Sequence, residues 1–311
     1  MAVCDIITIG ASMGGVEALQ SLLAGLPANL QAAVFIVLHI GAANSNLPQI
    51  LSRCGRLPAM HPTDGQPIVK GTVYVAPPDR HLLLAPDHIN LSPGPKENRT
   101  RPAVNPLFRS AAWTFGPRVA GVILTGTLDD GTAGLAEIKR RGGVAIVQDP
   151  LTAFSPSMPE NAIEHVDVDY IVALDEMAAL LTRVASQQRK EPALMPDETV
   201  EKILSELTCP ECRGPLWEER QDRIVEYRCR VGHAYSPLAL ARDQRETVER
   251  SLWSALVALE ESVDIAERLA EPGSPLAHET TVRRRQVEAI KKILNEQPAA
   301  PSTELNPQSE F

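Results

Sequence analysis

Aromatic side chains are scarce in this chain, at 4 % of 311 residues, and no run of 18 consecutive apolar residues occurs in it. Without such a run no membrane-spanning helix is expected. Positive charge is also in short supply. The 30 Lys and Arg are outnumbered by 39 Asp and Glu, a net charge of −9, which argues against a generic nucleic-acid binder. The N-terminus has no basic stretch leading into an apolar segment, so no signal peptide is predicted. Cysteine is rare and odd in number. There are five, three of them between residues 209 and 229, which does not suit a secreted disulfide framework. These absences together predict a cytoplasmic protein with no nucleic-acid partner and no membrane insertion. What is present is a 44 % apolar share, enough for a real core, and a length that accommodates one large domain and something smaller.

Residues 1–187 alternate strand-like and helical patterns. Strand candidates are Ile6–Gly10, Ala33–Ile40, Thr72–Ala76, Ala120–Thr125, Val144–Gln148 and Tyr170–Ala173. Several are rich in Val and Ile with no polar alternation, as strands buried on both faces require. Helical patterns lie between them, among them Gly131–Arg141 and Asp175–Ala185. This rhythm predicts an α/β fold with a doubly wound, mostly parallel sheet. Residues 81–92 read as a hairpin turning at Pro86-Asp87, followed by a polar loop, Ser92–Pro102. Residues 188–200, with Pro192 and Pro196, read as a linker. Beyond it lie a cysteine-bearing module over 201–236 and a helical pair over 237–297. The first helix of the pair carries Val248, Leu252, Leu256, Leu259, Val263, Ala266 and Leu269 at helical spacing. Residues 298–311, rich in Pro, Ser and Gln, are expected to be disordered.

In an open parallel sheet, ligands bind beyond the carboxyl ends of the strands. Three kinds of reactive side chain fall at that edge. Ser12 sits in Gly10-Ala11-Ser12-Met13-Gly14, a G-x-S-x-G turn between a strand and a helix. Small residues there let a sharp turn lift the hydroxyl above the sheet. His39 closes the second strand, and Asp129 and Asp130 follow the run Val122–Leu128. Serine, histidine and aspartate at one edge are the complement of serine hydrolysis. Each has a plainer alternative: Ser12 as a helix N-cap, His39 as a satisfied buried imidazole, Asp130 as the N-cap of the helix after it. The chain order Ser, His, Asp is not that of ordinary α/β hydrolases. A dinucleotide loop is disfavoured, because Ser12 stands where that pattern needs glycine and His39 where it needs an acid.

Further stretches join these: Val73–His81, Arg101-Pro102-Ala103-Val104, Leu107–Ala112, Leu124-Thr125-Gly126, Asp130-Gly131 and Met158-Pro159. With them, residues 1–187 resemble the catalytic domain of the chemotaxis protein-glutamate methylesterases (CheB-type). The resemblance implies Ser12 as nucleophile, His39 as base and Asp130, rather than Asp129, as the orienting carboxylate. It implies hydrolysis of glutamate γ-methyl esters on methyl-accepting chemoreceptors, glutamine deamidation in some members, other chemosensory proteins as partners, and no catalytic cofactor. It further implies an oxyanion held by N–H groups near Met13 and the Thr127 loop. Arg99 and Arg101 are candidate docking contacts for an acidic receptor helix, with solvated loop charges as the plainer alternative. The sequence departs from the family at Thr127-Leu128-Asp129, where methionine-glycine-asparagine is usual, and at Asn105, where aspartate is common. The chain starts at the first strand, so no phosphorylatable receiver is expected in front of it. The altered loop leaves two other readings open, a non-catalytic signalling adaptor and a serine hydrolase acting on a different protein ester or amide.

Cys209, Cys212, Cys229 and His233 form C-x2-C-x16-C-x3-H. Thiolates and imidazole in paired knuckles suit tetrahedral zinc, and four protein ligands close the site, which makes it structural. The module resembles a zinc ribbon, with Ile224–Arg228 as a strand. A redox Cys-x-x-Cys pair, or a ribbon that has lost its metal, are the alternatives. Cys4 and Cys54 read as buried or half-buried thiols.

Overall fold

A computed structural model of the chain describes residues 2–39, 45–189, 200–269 and 275–296. Strand β1 (Ala2–Val3) leads into β2 (Ile6–Ala11), helix α1 (Gly15–Gly25), β3 (Ala33–Leu38), α2 (Leu47–Cys54), β4 (Ala59–Met60) and β5 (Val73–Val75). A hairpin follows, β6 (His81–Leu84) and β7 (Ile89–Ser92), then α3 (Val104–Phe115), β8 (Val119–Ile123), α4 (Thr132–Arg140) and β9 (Val144–Gln148). Next come α5 (Ser157–His165), β10 (Tyr170–Val172), α6 (Leu174–Ser186) and β11 (Gln188–Arg189). The last part holds β12 (Glu201–Thr208), β13 (Pro215–Gln221), β14 (Ile224–Cys229), β15 (Ala234–Tyr235), α7 (Pro237–Leu269) and α8 (Pro275–Glu296).

The main sheet has seven strands in the order β10-β9-β8-β2-β3-β5-β4. Every pairing in it is parallel. Strands β2, β3, β8 and β9 are buried along their whole length, which is why they carry Val and Ile on both faces. One face packs on α1, α2 and α6 through Leu19, Leu22, Leu51 and Leu181. The other packs on α3, α4 and α5 through Phe108, Leu135 and Met158. The fold is therefore α/β and doubly wound, and the order reverses around β2, so the ends of β2, β3 and β8 open onto one crevice. The edge strand β4 escapes sequence reading because two residues carry no periodicity.

The expected linker differs at its start. Gln188 and Arg189 pair with Val3 and Ala2 as antiparallel strands, while residues 190–199 lie outside the described residues. The cysteine module is richer than one strand. It is a four-stranded antiparallel sheet in the order β12-β13-β14-β15. Strands β12 and β13 mix charged and apolar residues; β12 is largely exposed and β13 mostly half-buried. The chain divides into two compact units, residues 1–241 and 242–311. The four-stranded module thus shares its unit with the large sheet, a grouping that differs from a division at 188–200.

In the second unit the pairs Lys291–Glu260, at 2.9 Å, and Arg284–Glu267 run in opposite senses along the chain. The two helices are therefore antiparallel. Leu256, Val263, Ala266 and Val287 are buried there, whereas Val248 and Leu269 of the expected apolar stripe are exposed. The expected disordered tail, 298–311, lies outside the described residues. Among the described residues no helix is long and apolar enough to cross a membrane.

Candidate active site and metal cluster

Strand β2 ends at Ala11 and α1 starts at Gly15, so Ser12, Met13 and Gly14 make the turn between them. Gly14 has φ +74°, and a Cβ there would lie 2.6 Å from Phe154 Cβ. The turn is pinned from the end of β8. The Ser12 N–H donates to the Thr125 carbonyl at 3.0 Å, and the Thr125 hydroxyl donates to the Met13 carbonyl at 2.8 Å. Gly126 lies against the serine, for a Cβ on it would come within 2.8 Å of Ser12 Cβ and 2.2 Å of Met158 Sδ. Glycine at 126 is what allows the two strand ends to approach.

His39 follows β3, and its backbone N–H donates to the Ala11 carbonyl at 3.2 Å. That places the ring beside the turn. Its Nδ1 lies 3.2 Å from Ser12 Oγ, and its Nε2 lies 2.8 Å from Asp130 Oδ2. A carboxylate can only accept, so Nε2 carries the proton and the lone pair of Nδ1 faces the serine hydroxyl. The two ring nitrogens are exchanged relative to the arrangement of serine proteases.

Asp130 is buried, and every group that faces its carboxylate donates. Oδ2 accepts from His39 and from the Val104 N–H at 2.6 Å. Oδ1 accepts from Asn98 Nδ2 at 3.0 Å and the Asn105 N–H at 3.4 Å. Burial opposes its ionisation, but the bond and charge of His39, then Val104 and Asn98, hold the carboxyl below its ordinary range. Asp130 does not cap the following helix. Gly131 takes that place, and the Asn105 side chain serves the helix instead, accepting from the N–H groups of Gly131 at 3.1 Å and Gly134 at 2.8 Å.

The loop before Asp130 is unusual. Leu128 has φ +63°, a left-handed conformation that costs a side-chain-bearing residue about 1–2 kcal/mol. Ser157 Oγ and Asn161 Nδ2 both donate to its carbonyl, each at 3.2 Å, and so hold the strained turn. Asp129 accepts from Ser236 Oγ at 2.6 Å. Burial pushes its carboxyl up to about 6, the hydrogen bond from Ser236 opposing and the Asp130 charge adding to the rise, with His165 opposing. Between the ordinary value of 3.8 and about 6 the folded chain keeps a proton that the unfolded chain has lost. Stability from this group therefore falls as pH rises through that window. Asp129→Asn, which still accepts from Ser236, is expected to match the parent at pH 4 and to exceed it at pH 7.5 by about 1–3 kcal/mol. Urea unfolding at the two pH values measures this, and equal stability at pH 7.5 contradicts it.

Two sequence expectations change. Arg101 does not present a free guanidinium for docking. It is spent on Asp79 at 2.9 and 2.6 Å and on the carbonyls of Pro93 and Gly94 at 2.8 and 2.7 Å. Cys54 is exposed rather than buried, because it ends α2 on the solvent side. Sequence reading also missed Asn98, which carries no motif. Its backbone takes a left-handed φ of +46°, which asparagine tolerates, but the sequence alone does not mark that conformation.

In the four-stranded module, ligand atoms of Cys209, Cys212, Cys229 and His233 all lie within 4.8 Å of one another. Cys212 Sγ and Cys229 Sγ are 3.7 Å apart and not bonded as a disulfide. His233 Nδ1 lies 3.7 Å from Cys209 Sγ and 3.5 Å from Cys229 Sγ. A tetrahedral zinc ion would put sulfurs about 3.8 Å apart, and sulfur and nitrogen about 3.5 Å apart. The four donors fit that ion in kind and spacing.

The sequence matches the CheB methylesterase family over residues 7–181. A Leptospira interrogans relative is 40 % identical over 182 residues, 58 % of this chain and 94 % of its own. Relatives from Methanosarcina mazei and Geobacter metallireducens are named protein-glutamate methylesterase/protein-glutamine glutaminase. They are 36 % identical over 192 residues and 41 % over 177, and the match takes in 52 % and 48 % of their lengths. This chain thus spans about half of those two proteins. Among solved structures, the Thermotoga maritima CheB methylesterase catalytic domain superposes with a TM-score of 0.57 at 31 % identity. It covers 59 % of this chain and 99 % of its own.

Proposed function

Since the chain belongs to the CheB methylesterase family, we propose that it hydrolyses glutamate γ-methyl esters on methyl-accepting chemoreceptors and deamidates receptor glutamine. The observation that carries this reading is the continuous path Ser12 Oγ, His39 Nδ1, His39 Nε2, Asp130 Oδ2, with steps of 3.2 and 2.8 Å between side chains. Ser12 is the nucleophile. As its oxygen bonds to the ester carbonyl carbon, its proton passes to His39 Nδ1, and Asp130 holds the imidazolium that results. The tetrahedral intermediate collapses, the C–O bond to the methoxy group breaks, and His39 returns the proton so that methanol leaves. Water then adds to the acyl-serine by the same route, freeing glutamate and Ser12. The N–H groups of Met13 and Gly14, at the unpaired start of α1, would face the oxyanion. One such donor contributes about 100- to 1,000-fold. Nucleophile, base and donors all come from the chain, so the step calls for no cofactor.

Residues 1–187 are the catalytic domain in this reading, and 201–236 a ribbon built on one structural zinc ion held by Cys209, Cys212, Cys229 and His233. Other chemosensory proteins are the expected partners and the cytoplasm the expected compartment. The test is methanol release from a panel of methylated chemoreceptors. Release from at least one is expected, and a folded chain silent on every receptor overturns the substrate assignment.

A further inference from the structure

The orienting carboxylate is held through a residue that the ribbon grips. Asn98 is buried in the polar loop, with only 6 % of its surface exposed. Its Nδ2 donates to Asp130 Oδ1 at 3.0 Å. The rest of Asn98 faces the strand that leaves the cysteine cluster. Its Oδ1 accepts from the Ser236 N–H at 2.8 Å, and its own N–H donates to the Ala234 carbonyl at 2.8 Å. Glu97 pairs with Ala234 as a parallel bridge, and the knuckle glycine, Gly232, abuts Pro95. Ser236 also reaches the neighbouring carboxylate, donating to Asp129 at 2.6 Å while accepting from the Ala239 N–H at 3.0 Å. Two residues separate Ser236 from His233, and one of them, Tyr235, has its hydroxyl 3.6 Å from Cys209 Sγ.

We propose that Asn98 and Ser236 are positioning residues for the Asp129-Asp130 pair, so that the ribbon completes the support of the catalytic triad. The reasoning is geometric. An amide side chain has one donor face and one acceptor face. Asn98 spends the donor on Asp130 and the acceptor on the ribbon, so the carboxylate keeps its place only as well as the ribbon keeps Asn98. A carboxylate that drifts lets the imidazole turn, and the proton path from Ser12 lengthens. Misplacement on that scale costs a reaction step far more than it costs binding. Asn98 holds Oδ1 of Asp130 while His39 holds Oδ2, so Asn98 and Ser236 act in the support of the carboxylate and not in substrate contact at Ser12. The inference rests on Asp130 being the orienting carboxylate, as the proposed function has it.

The test uses the full chain and a readout that does not depend on the receptor. Labelling of Ser12 by a fluorophosphonate probe is resolved into a maximal rate and a half-saturating concentration, alongside kcat and KM for methanol release. Asn98→Asp tolerates the same left-handed backbone and still accepts from Ser236, but it turns an acceptor toward Asp130. Its maximal labelling rate and kcat are expected to fall by about ten- to a hundredfold with KM unchanged. Ser236→Ala removes one hydrogen bond to the pair and is expected to cost about three- to tenfold in the same two rates. Ser236→Thr, which keeps the hydroxyl, restores them. Wild-type rates in Ser236→Ala overturn the inference, as does a loss that Ser236→Thr fails to restore in a folded chain. If Asn98→Asp does not fold, the Ser236 pair decides alone. A parent chain that labels but releases no methanol defeats only the substrate assignment. One that does neither defeats the nucleophile assignment and this inference with it.

Discussion

Ser12→Ala is expected to end methanol release, with a loss of about a million-fold in kcat, and to leave thermal unfolding where it was. The two halves of that expectation have separate causes. The hydroxyl is the only atom lost, and it is the atom that would form the acyl bond. The turn does not depend on it, since the Ser12 N–H still reaches the Thr125 carbonyl and the Gly15 N–H still reaches the Ser12 carbonyl at 2.9 Å. Asp130→Asn differs in both respects. It is expected to lower kcat by about ten-thousand-fold, the scale seen when a triad carboxylate becomes an amide. It also destabilises, because each of the four groups around Asp130 presents a proton to it. An amide NH2 must face at least two of them. If it faces His39, the imidazole takes the tautomer with its proton on Nδ1, and the serine loses its base. Residual activity above a tenth in Ser12→Ala would falsify the nucleophile assignment. An Asp130→Asn chain of full stability would contradict the donor count.

Withdrawing the metal is expected to have the largest effect on stability. Structural zinc in units of this kind contributes about 10–16 kcal/mol at neutral pH. The ribbon has little else. Its buried apolar cluster consists of Cys209, Leu216, Cys229, Tyr235 and Leu240, with Tyr227 packed against it, so two of the five buried members are themselves proposed ligands. Protein treated with a strong chelator should release one zinc per chain and lose amide-exchange protection across β12 to β15. The large sheet should keep its protection, because its core lies in Leu19, Leu22, Phe108 and their neighbours rather than in the ribbon. Cys212→Ala should do the same without chelator. Release of no zinc, or a ribbon that remains protected after release, refutes the assignment. Labelling of Ser12 should slow on metal removal, since Asn98 loses the partners at Ala234 and Ser236.

The parts of the fold that could be read from the sequence are those whose burial is complete. The runs Ile6–Ala11, Ala33–Leu38 and Val144–Gln148 are buried on both faces. A chain so apolar has few other places to go, and helices of regular period separate the runs. The parts that could not be read are half-solvated. Strands β12 and β13 interleave Glu, Lys and Arg with Ile and Leu, and their pairing partners, not their periodicity, make them strands. Candidate site residues divide along a similar line. Ser12 stands in a local turn that announces itself. His39 directly follows β3 and Asp130 stands in the loop between β8 and α4, where position along the chain is itself a clue. Asn98 and Ser236 have no such clue, because each matters only through an atom more than 30 residues away.

The sequence by itself determined the doubly wound sheet, the turn that presents Ser12, and a set of four soft donors at zinc spacing, because hydrophobic period, glycine placement and ligand spacing are local properties. Only the tertiary structure decided that Arg101 is spent internally on Asp79, that Asp129 is buried against Ser236, and that the ribbon holds Asn98 against Asp130. Hydrogen bonds of that kind depend on where distant segments meet in space, and separation along the chain carries no record of it.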